Sequence, residues 1–284
     1  MAARKKKAAA AKKRAAKTKA ITPKKVGGAI AAAHDYGEMA GSGYENVSAE
    51  FFTIPFLGIL QGLSPEVNKA DGAHIPGAEV GMLIDSVAKE LVLGEDGLVL
   101  VPVDVDQQFV EWVPRDKGGG FVATHLPSSA EVAEAKDAST EFGKYKIGDN
   151  DLIETFYIHG FILPGGMGDF TAPKMIMVAC KSTAIKKFRN LMTRLRSIPG
   201  APLYAHQVLV RTVPEQNPKG AYYNYDFGPA GDDTQSSLID PADADGLAFM
   251  EGCQKFQEQC RSGAARGNYD SVSNNDEAGG DEPF

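Results

Sequence analysis

Residues 98–106 read LVLVPVDVD and residues 108–116 read QFVEWVPRD. The first is a β-branched run, and in the second Val110 and Trp112 alternate with Phe109, Glu111 and Val113. Alternate residues of a strand face opposite ways, so both stretches are expected as strands of a half-buried sheet. The pattern continues downstream. A KGGG turn (117–120) leads into FVATHL, and IETFYIHGFIL (153–163), closed by PGGMGD, and KMIMVACKS (174–182) read the same way. Residues 127–151 are polar, charged and poor in periodicity, and are expected as a surface excursion.

Upstream, SAEFFTIPFLGILQGLSPEV (48–67) is apolar, but Pro55, Gly58 and Gly62 prevent one long helix. A strand or turn followed by a short helix is expected. The clearest helix is STAIKKFRNLMTRLRS (182–197), with Ser182 as its expected cap. Ile185, Phe188, Leu191, Met192 and Leu195 recur at helical spacing, and Lys186, Lys187, Arg189, Arg194 and Arg196 take the opposite side. A long hairpin follows: LYAHQVLVRTV (203–213), the turn EQNPKG and AYYNYDFG (221–228). The last helix is expected from Pro241 to Arg261, with Leu247, Met250, Cys253, Phe256 and Cys260 facing inward.

Strands, one helix and a closing hairpin indicate a mainly β, α+β fold rather than an alternating parallel sheet. The small Greek-key barrel with a helix before its last strands is the OB-fold, so an OB-like β-barrel with insertions is the expected topology. Basic and acidic disordered tails are expected to flank it.

The chain has 284 residues, 43% hydrophobic and 24% charged, enough for one or two domains with a real core. No run approaches the roughly 18 apolar residues of a membrane span, so no membrane association is expected. Charge is arranged in blocks. Residues 1–25 hold eleven Lys and Arg and no acid, and the fifteen from Asp270 onward hold five acids and no base. Between them stand 19 basic and 32 acidic residues, a net of −13. Such blocks exclude a uniformly basic DNA-coating domain. The expected organisation is a Lys/Ala-rich arm and linker (1–42), a folded core with its C-terminal helix (43–262) and an acidic tail (263–284). A cationic arm of this kind is expected to pair with phosphate, the other readings being a solubilising tail or a host-targeting signal.

Cys180, Cys253 and Cys260 are odd in number and far from any His, which argues against a disulfide framework or zinc site and fits a reduced, cytoplasmic compartment. No Walker loop, GxSxG or HExxH occurs, so no enzyme activity is expected. Asp104/Asp106 and Asp232/Asp233 read as solvated acids, and neither metal nor cofactor is expected.

The strongest constellation is electrostatic. Between Asp169 and Glu215 no acid occurs, yet Lys174, Lys181, Lys186, Lys187, Arg189, Arg194, Arg196 and Arg211 do. A solvated helix face explains some of these cations; a phosphate track also explains the missing acids. Beside it lie aromatic residues. Tyr223, Tyr225 and Phe227 share one strand face and Tyr222 takes the other, Tyr204 starts the partner strand, and Trp112 stands close to Arg115. Rings next to cations, with Lys219 in the hairpin turn, suit single-stranded nucleic acid: bases stack and phosphates pair. About half of these rings, Phe227 and one same-face tyrosine first, are expected in the core instead.

The chain ends NNDEAGGDEPF. This ending resembles the tails of bacterial single-stranded-DNA-binding proteins, where acids precede a terminal Pro-Phe. The NPKG turn with YYNYDF loosely resembles phage replication-type single-strand binders. The resemblance implies that Asp281, Glu282, Pro283 and Phe284 recruit replication or recombination partners, and that the protein is phage-encoded and acts in the host cytoplasm. Length, the Lys/Ala arm and large insertions depart from the bacterial pattern. The expected function is therefore sequence-tolerant binding of single-stranded DNA. Two other classes stay open: an architectural duplex-DNA protein acting through the Lys/Ala arm, and a phage structural or assembly protein.

Overall fold

The computed structural model describes residues 53–262, apart from Lys219, together with residues 266–267. The chain divides into two units, Met1–Val47 and Ser48–Phe284, and every described residue lies in the second. The two strands expected around residue 107 are one: β5 runs unbroken from Leu98 to Trp112. The earlier short strands are β1 (Thr53–Ile54), β2 (Leu57–Ile59), β3 (Leu83–Asp85) and β4 (Leu91–Val92). After β5 come β6 (Phe121–His125), β7 (Tyr145–Ile147), β8 (Asn150–Leu163), β9 (Lys174–Lys181), β10 (Val208–Asn217), β11 (Gly220–Pro229) and β12 (Arg266–Gly267). The helices are α1 (Ala130–Ala138), α2 (Ala184–Arg196) and α3 (Ala244–Ser262).

β5 and β8 are the antiparallel spine of a seven-stranded sheet ordered β11-β10-β5-β8-β7, with β6 also on β5 and β9 also on β8. Their ladder slips once: Pro102 faces Gly160 and Asp104 faces His159, leaving Val103 as an extra residue. Such a bulge tolerates a proline that cannot donate to the ladder. It also reverses the parity of the strand. Val99 and Val101 before it, Val103 at it, and Val110 and Trp112 after it all join one core.

That core lies under α3, whose Cys253 and Phe256 pack with Val101, Tyr157 and Leu163. A second core contains α2, whose Phe188, Leu191 and Leu195 meet Leu100, Ile158, Val178, Val210 and Phe227. Leu57 and Leu83, from the small antiparallel sheet β2-β3-β4, complete it. A third, smaller core places Val132 and Ala135 of α1 against Phe109 and Leu152.

The fold is thus mainly β with few helices, α+β, but the sheet is open. Among the described residues no ladder joins β11 to β9, so the strands do not form the expected OB-like barrel. The gap is crossed by other bonds. Met177 of β9 donates its backbone N–H to Pro55, just ahead of β2. On the far side the Tyr225 hydroxyl donates to the Leu57 carbonyl, and Arg194 of α2 donates to the Phe227 carbonyl at 2.8 Å.

Other expectations are corrected. Residues 48–67 hold β1, β2 and turns where described, with no helix, because Phe56, Leu57 and Ile59 are drawn into strand contacts. The excursion at 127–151 contains α1 and β7: Ser129 accepts from the Val132 N–H as N-cap, and the buried positions are only Val132 and Ala135. The cap of α2 is Thr183, not Ser182, which is held at φ 48° in the turn before it. Leu247 of α3 is 44% exposed. Phe249 takes the inward place instead, stacking on Phe170 at 4.9 Å. Among the described residues no helix is long and apolar enough to cross a membrane.

Candidate nucleic-acid interface

α2 carries five cations and no acid. The fold divides them. Phe188, Leu191 and Leu195 anchor one face, so residues three, seven and ten positions apart on the other form a stripe. Lys186, Arg189 and Arg196 lie there, exposed and without an ion-pair partner among the described residues. With a 1.5 Å rise per residue the stripe is about 15 Å long. Lys187 is withdrawn from it by an ion pair to Glu215 at 2.9 Å, and Arg194 by its bond to Phe227. Of the other expected cations, Arg211 is exposed and faces Asp226 across the hairpin. Lys181 is half-buried, its Nζ 5.7 Å from the centroid of the Trp112 ring. Arg115 opens a single 3-10 turn. Lys219, and the tail residues Asp281, Glu282, Pro283 and Phe284, lie outside the described residues.

The rings divide as well. Trp112 and Tyr225 are 5% and 7% exposed, and with Phe227 they are core side chains. They leave the set of rings that can meet a base. Tyr204 is half-buried against the α3 core. Tyr222 and Tyr223, at the outer end of β11, retain partial exposure.

These two tyrosines line a cleft of about 100 Å³ whose other walls come from β2 and from the β9–α2 junction, Lys181 included. Its polar framework is internally bonded. The Gln61 side chain reaches across 162 residues to accept from the Tyr223 N–H at 3.0 Å and donate to its carbonyl at 2.8 Å. Glu215 receives the Tyr222 hydroxyl at 2.8 Å, the Asn224 amide at 2.9 Å and Lys187. Burial pushes the Glu215 carboxyl upward, but the bonds from Asn224, Lys187 and Tyr222 together outweigh it and hold it below the ordinary glutamate value. Burial, reinforced by Glu215, lifts the Tyr222 phenol against the opposing bond from Thr183. Gln61, Thr183, Glu215 and Asn224 were not singled out in the sequence. An uncharged glutamine in a turn gives no local sign of a partner so far along the chain.

Burial raises the thiols of Cys253 and Cys260 to about 12 and that of Cys180 further, and lowers the imidazoles of His159 and His206. Among the described residues no three His, Cys, Asp or Glu side chains converge as metal ligands. Asp104 is instead bonded by Gln257 and approached by Arg261, and Asp233 is bonded to the Ser236 N–H.

The sequence model of the Pam3 phage gp34-like protein family matches residues 24–263. The chain belongs to that family. In this gp34-like protein the match spans the sheet, the cation stripe and the cleft, and leaves out residues 1–23 and the acidic ending. No curated protein and no solved structure matches the chain.

Proposed function

We propose that this gp34-like protein binds single-stranded DNA without sequence preference, as a phage-encoded, non-enzymatic factor in replication or recombination within the host cytoplasm. The observation that carries the reading is the exposed stripe Lys186, Arg189 and Arg196 on a helix without acids. The chain between the two charged ends has a net charge of −13 with these three cations counted in, so a cationic strip of this length stands out as a local anion surface. The burial of Trp112 and Tyr225 shifts the balance from extensive base stacking toward backbone contact. By resemblance to single-strand binders, Asp281, Glu282, Pro283 and Phe284 are proposed as the partner-recruiting element.

The test is titration of a fluorescein-labelled poly-dT oligonucleotide and its duplex with wild type and with K186E/R189E/R196E. Wild type is expected to prefer the single strand. The triple variant, correctly folded, is expected to bind more weakly at low salt and with a shallower salt dependence. Each lost phosphate contact removes about 0.7 from the log–log slope. A triple variant with wild-type affinity and slope overturns the reading, and equal loss on duplex and single strand moves it to the architectural class.

A further inference from the structure

Tyr223 differs from its two neighbours in how it is held. The Tyr225 hydroxyl is tied to the Leu57 carbonyl and the Tyr222 hydroxyl to Glu215. The Tyr223 hydroxyl has no hydrogen-bond partner among the described residues, while its backbone is fixed on both sides by Gln61. Its ring also packs closely. Gly81, at φ 90°, lies so close that a Cβ there would stand 2.5 Å from Cε1 and 2.8 Å from Cζ of the ring. Gly81 is itself secured, its N–H donating to Leu60 at 2.7 Å and its carbonyl accepting the Thr212 hydroxyl at 2.6 Å. The ring therefore rests on a glycine that only a side-chain-free residue can supply, and it also lines the cleft. A half-buried aromatic whose backbone is bonded on both sides and whose ring packs against backbone loses little conformational freedom when a flat partner lies on it.

The cleft suits such a partner. Phe56, Leu57 and Ala179 give it apolar walls. The hydrogen bonds of Gln61 and Asn224 are made within the protein, and Lys181, Ser182 and Thr183 give the cleft a polar edge. A guest held by its π-face rather than by its edge is sequence-tolerant. The cleft and the stripe share one helix: Ala184, in the first turn of α2, lines the cleft, while Lys186, Arg189 and Arg196 stand on the other face of that helix.

We propose that this cleft is a nucleobase slot: one base of the bound strand enters it and stacks on Tyr223, while the neighbouring phosphates follow Lys186, Arg189 and Arg196 along α2. The slot rests on the single-strand reading and adds to it the atoms that receive the base. Stacking on one aromatic side chain corresponds to roughly a fivefold to a hundredfold change in affinity.

The experiment compares Tyr223→Phe, Tyr223→Ala and the stripe variant in the poly-dT titration, and photo-crosslinks wild-type protein to oligo-dT bearing one 5-iodouracil. Tyr223→Phe is expected to keep its affinity because the ring suffices. Tyr223→Ala is expected to lose between about fivefold and a hundredfold with an unchanged salt slope, and the wild-type adduct is expected on the peptide containing Tyr223. If the stripe variant weakens binding while Tyr223→Ala binds as wild type, or the adduct maps away from residues 221–225, the slot is wrong and the phosphate track survives. If the stripe variant also binds as wild type, the single-strand reading itself has failed. The crosslink uses unmodified protein, so it decides the matter even if Tyr223→Ala does not fold.

Discussion

At Gly160 the backbone of β8 approaches β5 so closely that a Cβ would stand 2.2 Å from the Val101 carbonyl oxygen. Nothing in GFIL announces this, since the bulge at Val103 that brings the strands together belongs to the partner strand. Because the blocking atom is backbone, Gly160→Ala has no flexible group to displace, and we expect a loss of about 3 kcal/mol or more by urea denaturation. Glu215 is the second residue whose environment sets its role. Its carboxyl is depressed in the folded protein, so its stabilising effect is present above about pH 4.5, the ordinary glutamate value. That effect is lost as pH falls through the lower folded value. Glu215→Gln is therefore expected to cost about 1.5–3 kcal/mol near neutral pH, a range typical of hydrogen bonds to charged groups. The gap between the wild-type and variant melting temperatures should close as the protein is titrated below pH 4.5. A gap that stays constant into acid would mean that Tyr222, Asn224 and Lys187 do not depend on the charge.

Among the elements, α2 shows why equal charges on one helix do unequal work. Lys186 and Lys187 are adjacent and chemically identical, and the amphipathic pattern places both on the polar side. The hairpin supplies Glu215 to one and not the other. Lys187→Gln is expected to lower stability by about 0.5–1 kcal/mol, discounted for the partial exposure of both partners. That is a shift of roughly 1–4 °C in a domain of this size. Lys186→Gln is expected to leave melting unchanged and to weaken poly-dT binding. Differential scanning fluorimetry beside the titration separates them, and identical behaviour of the two variants would contradict the assignment. Such distinctions mark the limit of what periodicity reveals. β5, β8, β9, α2 and the hairpin are legible because each is half-buried and shows its period along its own length. α1 is not, because only Val132 and Ala135 of its nine residues are buried. In residues 48–67 the expected strand or turn is there as β1 and β2 where described, and only the short helix expected after it is absent, its place taken by turns. The site is legible to the same extent. The cation-rich helix and the tyrosines are visible in the sequence, whereas Gln61, Gly81 and the withdrawal of Lys187, Arg194, Trp112 and Tyr225 depend on contacts between distant segments.

For the whole molecule the charge blocks at the two ends bracket the span matched by the family. Their effects on DNA binding follow from charge alone. Removing residues 270–284 takes away five acids and no base. An anionic segment on the same chain as the stripe repels DNA phosphate and competes for the same cations, over about 30 Å at 0.01 M salt and about 10 Å at 0.1 M. The truncated protein is therefore expected to bind poly-dT more tightly at low salt, by an amount that shrinks as salt rises. A tail that only aids solubility would leave affinity unchanged at both salts. Removing residues 1–25 takes away eleven bases and no acid, and should weaken binding to single strand and duplex alike, with a flatter salt slope for each. The preference for the single strand, the ratio of the two affinities, should survive that deletion, because unspecific cations bind either form whereas a base can enter a slot only when it is unpaired. Titrating both truncations against poly-dT and its duplex at two salt concentrations gives that ratio directly. A ratio that falls to one when the arm is removed would place the discrimination in the arm and leave Tyr223 and the α2 stripe no part in it.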